Sequence, residues 1–581
     1  MGRSLDTKAT WKRRGAACVI SRPFPYRPML TPTQRPHLTL YAAVAALAIA
    51  ASATGLRNGF ALDDLALIAG NARVHTLHDW WRLFLQPYWP PQFGASLYRP
   101  IVTLGYAVQW TAGGGAPWVF HVTSVALYAA ATVLVLALFL LLLPRSAAFV
   151  GAALFAVHPV HVEAVANVVG QCELVAAVAM LAAAVMYVRG RQRGDLGPGV
   201  IVSITLLFAI ACLSKEHGVL LPALLLALEL FVVRPHEAEH GLYDRLRRVA
   251  PLFFVLGAVA VAYIVTRTMV VGDTIGEKHL VPVHGIARLW VMLVVAPHWV
   301  RLLAWPAHLS ADYSPHEIAI PNGPGPEIVV GLIILASAAL CFVASGSRSV
   351  HDAIRRPARL GLVWTAVMLL PVSNLFSVML VAERTLFLPS VGAMLLVAAL
   401  AMLVVQRAGE RGHALAAGAG VVCATTVIVV VGAVHSALRQ PVWRDDATLF
   451  AQTVRDAPSS YRAQFFYGQM MFEQGQRAAG EQHLRRAIAL NPTRSDASPL
   501  NYLATQYRVA GMCAQALPLY ERALAGDRAR PDVRYGLAEC LLASGRMDDA
   551  RRLAEDGVRR GDLATLFRSV VARADSATGT H

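Results

Sequence analysis

The sequence predicts an all-α protein, with a polytopic membrane domain of about eleven spans followed by an α-solenoid of helical-hairpin repeats. Three observations predict it. The 581-residue chain is 56% hydrophobic and only 15% charged, whereas soluble domains carry about a quarter charged residues. Apolar runs near the length of a membrane span recur up to residue 435. Beyond that, in a charged, Ala/Leu-rich tail, Gly475, Gly511 and Gly545 recur at intervals of 36 and 34 residues.

Residues 1–37 are basic and Pro-rich and read as a disordered cytosolic tail. The formal net charge of +16 is spread between apolar runs rather than gathered on one face. That argues against a nucleic-acid surface. Seven cysteines at 18, 172, 212, 341, 423, 513 and 540 form no CxxC pair and read as small hydrophobes without a disulfide framework.

A span needs roughly 20 apolar residues. The runs at 38–56, 118–143, 147–164, 172–188, 198–213, 218–233, 249–267, 327–345, 360–372, 388–405 and 414–435 qualify, giving a membrane domain over 38–435. The run at 288–305 holds Pro297, His298, Arg301, Trp305 and Pro306 and is expected to lie in the outer interface. With the N-terminus cytoplasmic, the inside segments hold 22 Lys/Arg and the outside segments nine, which places the repeats on the outer side.

The repeat domain is expected over 436–562, with a disordered tail at 563–581. Five residues beyond each marker glycine lies a small residue (Gly480, Ala516, Ala550), and twelve beyond lies another (Ala487, Ala523, Gly557). Small residues let paired helices pack closely, as in about three tetratricopeptide repeats.

Candidate chemistry collects on the expected outer face. Asp63-Asp64 is an adjacent acidic pair at the mouth of the membrane domain, costly to place there and a candidate catalytic base. Asn71, Tyr98 and Arg99 follow in the same long loop. His158-Pro-Val-His-Val-Glu163 supplies His158, His161 and Glu163, which suit hydrogen bonding of a sugar or phosphate; its spacing does not favour a divalent metal. Lys215 and Arg384 can each meet a phosphate, as point charge and as planar fork. Alternatively each pairs with its neighbour, Glu216 or Glu383. Asp312 lies in a second long loop and Asn374 beside the ninth expected span.

In order along the chain, Phe60-Ala-Leu-Asp-Asp64 with Asn71, Tyr98-Arg-Pro100, His158–Ala164, Leu213-Ser-Lys-Glu216, Leu309–Ser314, Pro371–Asn374, Ala382-Glu-Arg384 with Leu388-Pro-Ser390, and Trp443 resemble the transmembrane and tetratricopeptide-repeat O-mannosyltransferases and their bacterial relatives. That family lies within the GT-C glycosyltransferase superfamily. The resemblance implies a GT-C-like helical core taking sugar from a polyprenyl-phosphate donor, with no certain cofactor, and passing it to a protein hydroxyl. It places a catalytic acid at Asp63-Asp64 and a second acidic position at Asp312. One departure is Gly170-Gln-Cys-Glu173, where the family carries Arg after the glycine.

The expected activity is therefore transfer of mannose or another hexose to a Ser/Thr hydroxyl on the periplasmic face of a bacterial inner membrane. The lipid donor and a protein or peptide acceptor engaged by the repeats are the expected partners; nucleic acid is not. Two alternatives stand: an oligosaccharide ligase or polymerase using a polyprenyl-diphosphate donor, and a non-enzymatic repeat-bearing scaffold.

Overall fold

The computed structural model describes residues 38–578 except 94–95, 195, 234–240, 273–282, 284, 315, 322, 324, 346–350, 376–379, 492–495, 527–529 and 562. The expected tail at 1–37 lies outside the described residues. Leu40–His581 form one compact unit, with no strand among the described residues.

Helix α1 (Leu38–Ser52) leads into a long irregular segment, then α2 (Pro100–Gly113), α3 (Pro117–Leu142), α4 (Arg145–Ala156), the short α5 (Val162–Ala166) and α6 (Gln171–Gln192). Next come α7 (Pro198–Ser214), α8 (Leu221–Phe231), α9 (Leu242–Val271), α10 (Ala287–Ala304), α11 (Pro326–Ala344), α12 (Asp352–Leu369), α13 (Phe387–Gly409) and α14 (Ala414–Arg439). Proline opens α2, α3, α7 and α11, where its missing N–H costs nothing and its fixed φ suits the first turn.

The core of this bundle is made by α3, α4, α6 and α13, whose Val135, Phe139, Ala152, Phe155, Ala177 and Leu395 are buried. On α12 and α13, Gly361 and Gly392 let two backbones meet. A Cβ on either would sit 2.5–2.6 Å from the other's carbonyl oxygen. In contrast α9, α11 and α14 leave most of their apolar surface open, with Ile264, Leu340 and Val431 all exposed. Three apolar helices uncovered in this way face lipid.

Two expectations about the spans change. Among the described residues eight helices are long and apolar enough to cross a membrane, or nine if the bent pair counts as one, rather than eleven. The 218–233 run yields only the 11-residue α8. The 360–372 run lies in α12, which opens on Asp352, Arg355 and Arg356. The 198–213 run lies in α7, an apolar helix of 17 residues. The 147–164 run bends by 48° between α4 and the Pro159–Ala166 segment. Conversely, residues 288–305, expected to lie in the interface, are long and apolar enough to cross a membrane. They form α10, itself a candidate span, which keeps its helix through Pro297 and buries Val291, Val295, Trp299 and Leu302. These regrouped crossings change the loop assignments on which the charge count rested.

The tail folds as expected into a solenoid. An entry helix α15 (Asp446–Asp456) is followed by the hairpins α16 (Tyr461–Glu473) with α17 (Arg477–Leu490), α18 (Ser498–Val509) with α19 (Cys513–Gly526), and α20 (Pro531–Ala543) with α21 (Met547–Arg560). The marker glycines follow α16, α18 and α20 with φ of 79°, 74° and 77°. That left-handed backbone is one only glycine enters cheaply, which explains the periodic glycine. All six small residues are buried in helix contacts.

Two more corrections arise here. The segment expected to be a disordered tail instead forms α22 (Ala564–Thr578), which buries Phe567, Val570 and Ala574. That stripe at i, i+3 and i+7 is a helical face. And the cysteines are not all isolated: Cys513 of α19 and Cys540 of α20 form a disulfide, with Cα atoms 5.1 Å apart. The 27-residue spacing carries no motif, because repeat packing rather than sequence proximity joins them.

The junction of the two parts is hydrogen-bonded along its length. Thr54 Oγ1 donates to the Ala437 carbonyl at 2.5 Å and Asn58 Nδ2 to the Gln440 carbonyl at 2.9 Å. Gly59 N donates to the Arg444 carbonyl at 2.8 Å, and Leu62 N to Asp446 Oδ1 at 2.6 Å.

Candidate active site

The acidic pair sits in a turn that separates its two members. Leu62 adopts φ +55°, a left-handed conformation that costs a branched residue free energy and persists only when its surroundings enforce it. Here the Leu62 N–H is held by Asp446. Asp64 turns inward and is 1% exposed. Its Oδ1 accepts from Val169 N at 2.8 Å and its Oδ2 from Val168 N at 3.2 Å. Burial pushes its carboxyl up to about 8, against the pull of these backbone N–H groups. Asp63 turns outward and lines a cavity of about 250 Å³.

Asp64 therefore ties the turn to the start of α6, and its replacement should act on folding. In Asp64→Asn an amide N–H2 faces one of those backbone donors, leaving a buried N–H unmatched at a cost of about 1–3 kcal/mol. A lowered melting temperature of the detergent-solubilised protein is expected, and an unchanged one would refute this role.

Arg384, Asp312 and Tyr313 from the membrane domain line the same cavity as Asp63. Arg384 is fixed by Glu163, which takes its backbone N–H at 2.9 Å and ion-pairs with its guanidinium. Glu163 is 2% exposed and the Arg384 side chain 26%, so the cation is anchored from behind and open in front. Glu383 accepts from Ser310 N at 2.6 Å and from the Tyr313 hydroxyl at 2.5 Å. It ties the 309–314 loop to the Arg384 segment. Asn374, with φ +64° and fully buried, brackets Leu380 by accepting from its N–H at 2.7 Å and donating to its carbonyl at 3.1 Å. That shapes the approach to Val381 and Ala382 in the cavity wall.

The roof of the cavity comes from the repeat side: Phe450 of α15, and Arg462 and Phe466 of α16. Asp312 reaches across to it, accepting from Ser460 Oγ at 2.9 Å and pairing with Arg462 at 3.6 Å. Nothing in the sequence distinguished these roof residues, since they carry the ordinary composition of an amphipathic helix.

The remaining candidates lie elsewhere. His161 hydrogen-bonds Tyr128 at 3.0 Å and Ser390 at 2.8 Å. His158 accepts from Val160 N at 3.3 Å and meets the Leu303 carbonyl at 3.1 Å. Each ring thus spends both nitrogens on the protein core. Among the described residues no group of three or more His, Cys, Asp or Glu side chains could hold a metal ion.

Asn71 caps its own turn through Arg73, and the buried Tyr98 donates to the Phe84 carbonyl at 2.7 Å. Arg99 clasps Glu216 through two bonds of 3.0 and 2.7 Å, while Lys215 meets Glu173 at 2.8 Å. The neighbour pairs Lys215–Glu216 and Glu383–Arg384 are thus replaced by partners distant in sequence. Burial opposes charge on Glu216, yet Arg99 and Lys215 hold its carboxyl down to about 2. Gln171, where the family carries Arg, is turned into a buried amide exchange with Gln109, at 2.9 Å in both directions.

Comparison with known proteins bears on this geometry. Tetratricopeptide-repeat patterns match residues 433–495 and 510–574. Mouse protein O-mannosyl-transferase TMTC4 is 25% identical over 73% of this chain and 63% of its own length. Mouse TMTC3 is 27% identical over 58% of this chain and 40% of its own length. Drosophila melanogaster Tmtc2 is 33% identical over 44% of this chain and 28% of its own length.

The chain is a homologue of the protein O-mannosyl-transferases.

It spans 63% or less of the length of these three relatives. Among solved structures, the archaeal oligosaccharyltransferase AglB from Archaeoglobus fulgidus, in complex with an inhibitory peptide and a dolichol-phosphate, aligns with 70% of this chain and 56% of its own. Its TM-score is 0.41 at 12% identity, too slight a likeness to bear on function.

Proposed function

We propose that this protein is a membrane glycosyltransferase moving a hexose, mannose by analogy with its relatives, from a polyprenyl-phosphate donor to a Ser/Thr hydroxyl of a protein. The observation that carries the reading is one cavity lined by both an outward carboxylate, Asp63, and an anchored guanidinium, Arg384. Asp63 would take the proton from the acceptor hydroxyl as it attacks the anomeric carbon. Arg384 would stabilise the phosphate that departs with its lipid. Lys215 and Arg99 stay in their own ion-paired network, holding the loop between α7 and α8 against α2 and α6.

The test is reconstitution in liposomes with a radiolabelled polyprenyl-phosphate hexose and a Ser/Thr peptide. Label on the peptide supports the reading. Label only from a diphosphate-linked oligosaccharide would favour a ligase, and label from neither would leave a scaffold.

The same reading places the repeats on the extracytoplasmic side. The Cys513–Cys540 disulfide supports it, because such bonds persist in oxidising compartments. Digestion of the protein after thiol alkylation of intact cells is expected to release a linked peptide containing both cysteines. Complete alkylation of both by a membrane-permeant reagent, with no linked peptide, would put the repeats in the cytosol.

A further inference from the structure

Phe450, Arg462 and Phe466 roof the cavity that holds Asp63. The two phenyl rings are stacked, with centroids 5.0 Å apart and planes within 16°. The Arg462 guanidinium lies 5.9 Å from the Phe466 ring and 3.6 Å from Asp312. Arg462 is therefore steered from two sides, by an aromatic face and by a carboxylate that Ser460 and Ser314 hold in turn. Such a wall is built before any ligand arrives: a flat apolar plate edged by a fixed cation.

We propose that α15 and α16 form the acceptor subsite of the transfer site. An extended Ser/Thr peptide would lie against them, with an apolar residue next to the reacting hydroxyl resting on the Phe450–Phe466 plate. This inference rests on the glycosyl-transfer reading above. One observation assigns the wall to the acceptor rather than to the sugar donor: the donor's lipid keeps it on the membrane domain, which supplies Asp63 and Arg384, whereas the plate belongs to helices that follow the last apolar span. In an extended peptide successive side chains point to opposite sides with a rise of about 3.3 Å. One residue can thus reach toward Asp63 while a neighbour meets the plate.

The test has two arms. In kinetics with the polyprenyl-phosphate hexose, Phe466→Ala and Phe450→Ala should raise the KM for a Ser/Thr peptide about tenfold, the scale of losing an aromatic anchor. The KM for the donor should stay unchanged. A raised donor KM with an unchanged peptide KM would assign the wall to the sugar and overturn the proposal. Because Phe450 is buried and its loss can unfold α15, the second arm uses the unaltered protein. A peptide with a benzophenone beside its serine is photolysed on the full chain in liposomes. Crosslinks within 446–473 are expected. Crosslinks confined to other segments, or none, would overturn the subsite even if transfer itself proceeds. Failure of transfer with crosslinking intact would instead sink the catalytic reading alone.

Discussion

Asp63→Asn is expected to reduce sugar transfer by about 10²–10⁴-fold, the usual contribution of a positioned general base. Its folding stability should move by no more than ~0.5 kcal/mol. Asp63 faces a cavity, and the turn that carries it is held by other groups: Leu62 N on Asp446, and Asp64 on Val168 and Val169. The amide is nearly isosteric and keeps the hydrogen-bonding shape while losing basicity. Transfer from the lipid-linked donor and melting temperature, measured on the same preparation, should separate the two acids. Asp63→Asn should be folded and inactive, and Asp64→Asn destabilised. Equal activity of Asp63→Asn and wild type would remove Asp63 from the mechanism.

The second large effect is expected at Arg384. Arg384→Met removes the cation paired with Glu163, a carboxylate 2% exposed. Breaking a buried pair on one side costs about 3–5 kcal/mol, because the remaining charge is left uncompensated. Loss of the cation facing the leaving phosphate should also lower kcat by about 10²–10³-fold. The double variant Glu163→Gln/Arg384→Met separates these effects. It should recover much of the stability, since no lone charge stays buried, and recover none of the activity. Recovery of transfer in the double variant would show that Arg384 serves folding only.

What the sequence made legible follows a physical division. Local signals held: the periodic glycines marked turns that need a left-handed residue, and the small residues beyond them marked helix contacts. Apolar length located the long spans. It failed where length and burial part company. The runs around α7, α8 and α12 are apolar because they pack inside the bundle or sit beside it, and are not long or uncharged enough to cross. Helix α10 failed in the opposite sense, since its proline and polar ends masked a continuous buried stripe.

At the site, sequence order could pair Lys215 with Glu216 and Arg384 with Glu383, because nearest neighbours are all that order reveals. The fold instead pairs Arg99 with Glu216 across 117 positions and Glu163 with Arg384 across 221. Likewise Asp63 and Asp64 are equivalent on paper. Only the φ of +55° at Leu62 and the amides that close on Asp64 give them opposite faces.

The hydrogen bonds between residues 54–62 and 437–446 have a consequence for how such a protein can be cut or recombined. A boundary drawn at residue 436 looks like a seam between two modules. In fact it runs between the loop that carries Asp63 and the strut that braces it. Removal of the repeats at that point would strip the loop of its Gln440, Arg444 and Asp446 partners, and inactivity of the truncated chain would say nothing about acceptor recognition. A clean exchange of repeats with a relative needs its joint beyond Leu490, after the α16–α17 hairpin. The brace and the cavity roof then stay with the membrane domain, and only the distal hairpins change owner.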